Sequence, residues 1–151
     1  MSHSEFRTRL AARWHSADSM LCVGIDPELN RIPEHLRAQD DAFLQFGKAI
    51  VDATAEHVCA FKPQAAHFAA EGHEDQLAEL IDYIHVNYPE IVVISDAKRG
   101  DVGSTAKLYA REAFERYQAD AVTVNPYLGY DSLEPYFEYS DKGIVVLCRT
   151  S

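Results

Sequence analysis

The sequence predicts an α/β fold built on a parallel sheet, and three observations predict it. Five short apolar runs recur along the 151 residues, none with strict polar alternation, which is the pattern of strands covered on both faces. Longer segments with helical spacing separate them. Polar residues gather at the C-terminal end of each run: Asp26, Lys62, Asp96 with Lys98, Asn125, and finally Thr150 and Ser151. In parallel α/β folds the carboxyl ends of the strands form the ligand face, so the chemistry is expected on one rim. A merely solvated rim would also carry polar residues, but five strand ends in series favour a site.

The elements follow in order. MLCVGID (20–26) is the first strand, and PELNRIPEHLRAQ (27–39) after it reads as an irregular loop. DDAFLQFGKAIVDATAEH (40–57) has helical spacing and leads into the second strand, VCAFK (58–62). A helical region containing His67 and His73 continues through HEDQLAELIDYIHVNY (73–88) to the third strand, IVVISDAK (91–98). STAKLYAREAFERYQ (104–118) is the next helix, AVTVNP (121–126) the fourth strand, and GIVVLC (143–148) the fifth. NPYLGYDSLEPYFEY (125–139) is rich in tyrosine, which suits packing of a loop and helix better than stacking on a base. No repeat, low-complexity stretch or linker divides the chain, so residues 1–151 are expected to form one domain. A closed eight-stranded barrel takes about 250 residues, and an open five-stranded sheet needs its edges protected. Part of a barrel, or a sheet completed by a partner, are the two arrangements left.

Composition excludes several classes. With 47% hydrophobic residues the chain is globular. Its formal net charge of −10 leaves no basic stripe to neutralise phosphates, so nucleic acid is not an expected partner. No apolar run approaches the roughly 20 residues of a membrane helix, and MSHSEFRTRLAARWHSADS lacks the apolar centre of a signal peptide. A soluble, cytoplasmic protein is expected. Cys22, Cys59 and Cys148 lie in apolar runs without CxxC spacing and read as small buried hydrophobes. The seven histidines form no HxxxH or HExxH pair and read as surface or packing residues, so no metal site is expected.

The stretch VISDAKRGDVGSTAKLYA (93–110) concentrates charge at the end of an otherwise apolar strand. Period-two geometry puts Asp96 and Lys98 on one face, with Ala97 turned away and Arg99 pointing off the site. Gly100 permits a sharp exit, and Asp101 or Ser104 can cap the following helix, with Thr105 one turn beyond Asp101. A lysine among carboxylates is held in its charged form, a poor base but a ready proton donor to a carbanion formed beside it. A salt-bridge network stapling strand to helix is the other reading of a bare DxK pair. Asp26 and Lys62 on neighbouring strand ends favour a preorganised site.

DAKRGDVGSTA, with DxKxxD at its centre, resembles the signature of the orotidine 5′-phosphate decarboxylase family in its longer bacterial subgroup. VGIDPEL, FKPQAAHF, ADAVTVNPYLG and GIVVLCRTS match the same subgroup in the same order, over nearly the whole chain. The resemblance implies a TIM-type (β/α)8 barrel, of which this chain covers about the first five strands. It implies a carbon–carbon lyase that converts orotidine 5′-monophosphate to UMP in pyrimidine biosynthesis without metal or organic cofactor. Lys98 would protonate C6 of the pyrimidine, and Asp96 would face the departing carboxylate. Asp26 and Lys62 would hold the ribose hydroxyls and join the charge network. Asp101 and Thr105 would reach the neighbouring subunit's site, which implies a homodimer. Val102 would make an apolar contact near the carboxylate, and Ser151 would contact the pyrimidine.

The family's phosphate-gripping arginine and loop belong to later strands, so these 151 residues alone are expected to have little or no activity. Two other readings are carried. One is a magnesium-dependent sugar-phosphate decarboxylase or synthase of the same superfamily, which shares DxKxxD. The other is an inactive half-barrel that serves only to dimerise.

Overall fold

The computed structural model describes residues 5–149. Thr150 and Ser151, expected at the rim, therefore lie outside the described residues. Five strands appear where apolar runs were expected: β1 (Cys22–Ile25), β2 (Ala60–Pro63), β3 (Val92–Arg99), β4 (Ala121–Val124) and β5 (Gly143–Val146). They form one parallel sheet in the order β1-β2-β3-β4-β5, with Cys22 beside Ala60, Ala60 beside Val92, Ile94 beside Ala121, and Ala121 beside Gly143.

The helices are α1 (Glu5–Ala17), α2 (Glu34–Arg37), α3 (Ala42–Thr54), α4 (Ala65–Ala70), α5 (Glu74–Asn87), α6 (Gly103–Arg111) and α7 (Glu134–Phe137). Strand alternation divides the sheet into two faces. Ile25, Phe61 and Val93 turn toward α3 and α5 and form the main core with Phe43, Val51, Leu77, Leu80 and Ile84. Val122, Val124 and Ile144 pack with Phe114 and Tyr136 in a second cluster under α6 and α7. Full burial of side chains of this size contributes roughly 1.5–3 kcal/mol each, so these helices are held by the sheet face more than by their own propensity.

The opposite face carries Cys59, Ala60 and Val92, covered by Phe6 and Leu10 of α1. This helix was not read from the sequence. Its apolar stripe is sparse, and it is fastened instead by arginines: Arg9 to Asp120 and to the carbonyl of Pro89, and Arg13 to the carbonyls of Val58 and Ala55. A Cβ on Gly143 would stand 2.5 Å from Phe6, so the bare backbone there lets α1 seat against the sheet.

Four further readings are corrected. The loop after β1 is partly ordered, with a 3-10 turn at Leu29–Arg31 and the short α2. The helix expected over 104–118 begins as α6 and widens into a π turn at Glu112–Arg116. Neither Asp101 nor Ser104 caps α6: Val102 is its N-cap residue, and Asp101 Oδ1 accepts the Val102 N–H at 2.7 Å. Of the cysteines only Cys59 is buried. Cys22 lies on β1, whose sole described neighbour is β2, and Cys148 lies beyond the end of β5, so neither is enclosed. Among the described residues no helix is long and apolar enough to cross a membrane.

Candidate active site

The C-terminal ends of β2, β3 and β4 converge on one carboxylate. Asp96 is 4% exposed and accepts four hydrogen bonds. Its Oδ2 takes Lys62 Nζ at 2.6 Å and Gln64 Nε2 at 3.2 Å. Its Oδ1 takes Lys98 Nζ at 2.6 Å and Thr123 Oγ1 at 2.8 Å. Lys62 and Gln64 stand two residues apart at the end of β2, and Gln64 pairs with Asp96 in an isolated parallel bridge. Burial by itself opposes ionisation of Asp96. The donations from Lys62, Lys98 and Thr123 outweigh it and hold the carboxyl at about 2, so it is charged at any ordinary pH.

The two ammonium groups keep access to solvent, with side-chain exposures of 33% for Lys62 and 48% for Lys98. The expected lysine between carboxylates is thus realised as a carboxylate between two lysines. The bonded group carries one net positive charge within a chain of formal charge −10. That is a local attraction for an anion, and both ammonium groups that supply it reach solvent.

Lys98 reaches Asp96 by an irregular backbone. Ile94 and Ser95 pair with Ala121 and Val122, and the next pairing is Arg99 with Val124, so β3 advances four residues where β4 advances two. Within this bulge Lys98 has φ +48°, in the left-handed region that non-glycine residues rarely occupy. Its backbone N–H donates to Thr123 Oγ1 at 2.9 Å in place of a ladder bond. Gly100 closes the bulge, and a Cβ there would lie 2.7 Å from the Asn125 carbonyl oxygen. Close approach to β4 therefore requires this glycine, and positive φ does not.

The remaining expected residues that are described make none of the bonds to Asp96. Asp26 is exposed at the end of β1, the strand beside Lys62, and joins none of the four bonds. Asp101 is half-buried and engaged with the Val102 amide, Val102 is exposed, and Thr105 sits half-buried in the first turn of α6. Arg99 turns away as expected, paired with Glu112 at 3.2 Å and lying over the Tyr109 ring. Thr123 and Gln64 were missed. Period two could have found both, since Gln64 is two residues beyond Lys62 and Thr123 two before Asn125.

A second buried carboxylate, Asp120, lies at the opposite end of the sheet. It is bonded to Arg9, to His85 at 3.0 Å and to the Val93 amide at 2.8 Å. Burial opposes its ionisation, but His85 and the Val93 N–H hold its carboxyl below the ordinary value. A cavity of about 700 Å³ lies beside the rim between Pro27, Asn30, Phe43 and His67, and the lysines do not line it. Among the described residues no three His, Cys, Asp or Glu side chains stand where they could hold a metal ion.

Comparison with known proteins points the same way. The sequence model of the family described as "Orotidine 5'-phosphate decarboxylase / HUMPS family" matches residues 19–151. Orotidine 5'-phosphate decarboxylase of Azoarcus sp. (strain BH72) is 60% identical over 146 residues, covering 97% of this chain and 54% of that protein. The protein of that name from Ralstonia nicotianae is 61% identical with the same coverage. The solved OMP decarboxylase of Leishmania donovani superposes with a TM-score of 0.82 at 40% identity, over 97% of this chain and 54% of that one. The chain spans about half the length of the relatives it matches. The five parallel strands are accordingly part of a (β/α)8 barrel.

Proposed function

The chain belongs to the orotidine 5′-phosphate decarboxylase / HUMPS family, and from that premise we propose that it is the strand-one-to-five portion of an enzyme converting orotidine 5′-monophosphate to UMP. The observation that carries the reading is the pair of ammonium groups on opposite oxygens of one buried carboxylate at a strand end. As the C6–carboxyl bond breaks, its electron pair stays on C6 and carbon dioxide departs. Lys98 Nζ gives a proton to C6, and the resulting amine is reprotonated from solvent. The attraction between Lys98 and C6 grows as negative charge moves there, so it is stronger in the transition state than in the ground state. Asp96 faces the substrate carboxylate, and the like-charge repulsion is relieved as carbon dioxide leaves.

Lys62 and Asp26 hold the ribose hydroxyls, and Val102 lines the carboxylate side. Ser151 contacts the pyrimidine. Asp101 and Thr105 enter the site of a second copy, making a homodimer with composite sites. No metal or organic cofactor takes part. The step belongs to pyrimidine biosynthesis in the cytoplasm. Because binding energy from the substrate phosphate drives the chemistry at C6, the 151-residue polypeptide alone turns over little or nothing.

The test is loss of orotidine 5′-monophosphate absorbance in EDTA, for a chain extended to the length of its relatives and for its Lys98→Ala variant. Turnover that survives EDTA and falls at least about 100-fold in the variant supports the reading. Turnover of a sugar phosphate that requires added magnesium would replace it with the other activity of the superfamily. Equal turnover by Lys98→Ala would remove Lys98 as the proton donor.

A further inference from the structure

We propose that Thr123 is a positioning residue whose single hydroxyl locks the β3 bulge and thereby aims the Lys98 ammonium. The inference rests on the reading of Lys98 as proton donor, and it concerns how that donor is held. Lys98 occupies a strained backbone conformation, φ +48°, at a place where the β3–β4 ladder has lost register. Such a conformation persists only where its surroundings over-determine it. Thr123, 7% exposed and on the adjacent strand, supplies two constraints at once.

A hydroxyl has one proton to give and lone pairs to receive. Thr123 Oγ1 receives the Lys98 backbone N–H at 2.9 Å and gives its proton to Asp96 Oδ1 at 2.8 Å. That same oxygen receives Lys98 Nζ at 2.6 Å. Backbone and side chain of Lys98 are therefore tied to one small ring of atoms. Both roles of the hydroxyl, acceptor and donor, are thus met within the protein. Valine at this position would keep the branched shape but leave the Lys98 N–H without its acceptor and Asp96 short of a donor. Serine would keep both bonds and lose one methyl group.

The experiment compares wild type, Thr123→Val and Thr123→Ser in the chain extended to the length of its relatives, with Thr123→Ala standing in if the valine variant does not fold. Two quantities are read: hydrogen exchange at the Lys98 backbone amide by NMR, and kcat and KM for orotidine 5′-monophosphate. The expected result for Thr123→Val is faster exchange at Lys98 and a kcat lower by roughly 10- to 100-fold with KM little changed. Thr123→Ser is expected to restore protection and most of kcat. Serine as impaired as valine would show that the hydroxyl does not suffice to position Lys98 and would overturn the proposal, as would a valine variant with wild-type exchange or wild-type kcat. If the wild-type chain fails to turn over substrate, the decarboxylase reading falls. The amide measurement then decides the positioning role alone: protection lost in valine and kept in serine supports it, and unchanged protection removes it.

Discussion

At the scale of single residues, Asp96 is the hub, and its chemistry can be separated from its contribution to stability. Its carboxyl lies below its ordinary value of 3.8, at about 2. A lowered folded-state value means the stabilisation is fully present above 3.8 and lost as the pH falls through about 2. Urea unfolding of wild type against Asp96→Asn should show a stability gap at neutral pH that narrows across this window. A gap that stays constant with pH would mean the carboxylate charge is not what holds the two lysines. On the order of 2 kcal/mol is expected at neutral pH, allowing for water reaching both ammonium groups. The charged members of this network were legible in the sequence because DxK at a strand end leaves buried charge in need of partners. Thr123 and Gln64 were less visible, since a lone threonine in AVTV or a glutamine after a proline has many harmless roles. Only the bulge in β3, a tertiary feature, gives the threonine its work.

At the scale of elements, the strands and helices α3, α5 and α6 could be read from apolar runs and spacing because their stability comes from faces buried against one another. α1 could not, since its attachment is polar and distant in sequence, from Arg9 to Asp120 across 111 residues. Asp120→Asn should release α1 from the bottom of the sheet while leaving the Asp96 network in place. Limited proteolysis should then cut within residues 5–17 first, and uniform protection of that segment would refute the staple. Acid should act the same way on wild type, because a carboxyl held below its ordinary value loses its stabilising effect as the pH drops through its folded-state value. The exit of β3 carries the opposite lesson. Gly100 was read as a turn residue, but the contact at stake is with the β4 backbone at Asn125. Gly100→Ala is expected to cost about 1–3 kcal/mol and to shift the bulge, with lower thermal stability and weakened turnover together. A fully stable, active variant would show that the backbone there can yield.

At the scale of the molecule, what matters is what the sheet leaves unpaired. β1 and β5 each have one strand neighbour among the described residues, and their surroundings expose apolar groups: Met20 and Leu21 before β1, Val145 and Val146 in β5. Free strand edges flanked by apolar side chains are templates for association. The formal charge of −10 opposes clustering, but by long-range repulsion that salt screens beyond about 10 Å at 0.1 M. The 151-residue polypeptide produced alone should therefore associate more strongly as ionic strength rises, without reaching a fixed stoichiometry. The same residues within a chain of the relatives' length should not, because further strands would occupy both edges. Sedimentation velocity at low and high salt distinguishes the cases. A monodisperse monomer at every salt concentration would mean the edges are self-protected. A discrete dimer, unchanged on extension, would favour the half-barrel as a dimerising unit. Salt-driven, open-ended association that extension abolishes would tie the exposed edges to the strands that complete the barrel.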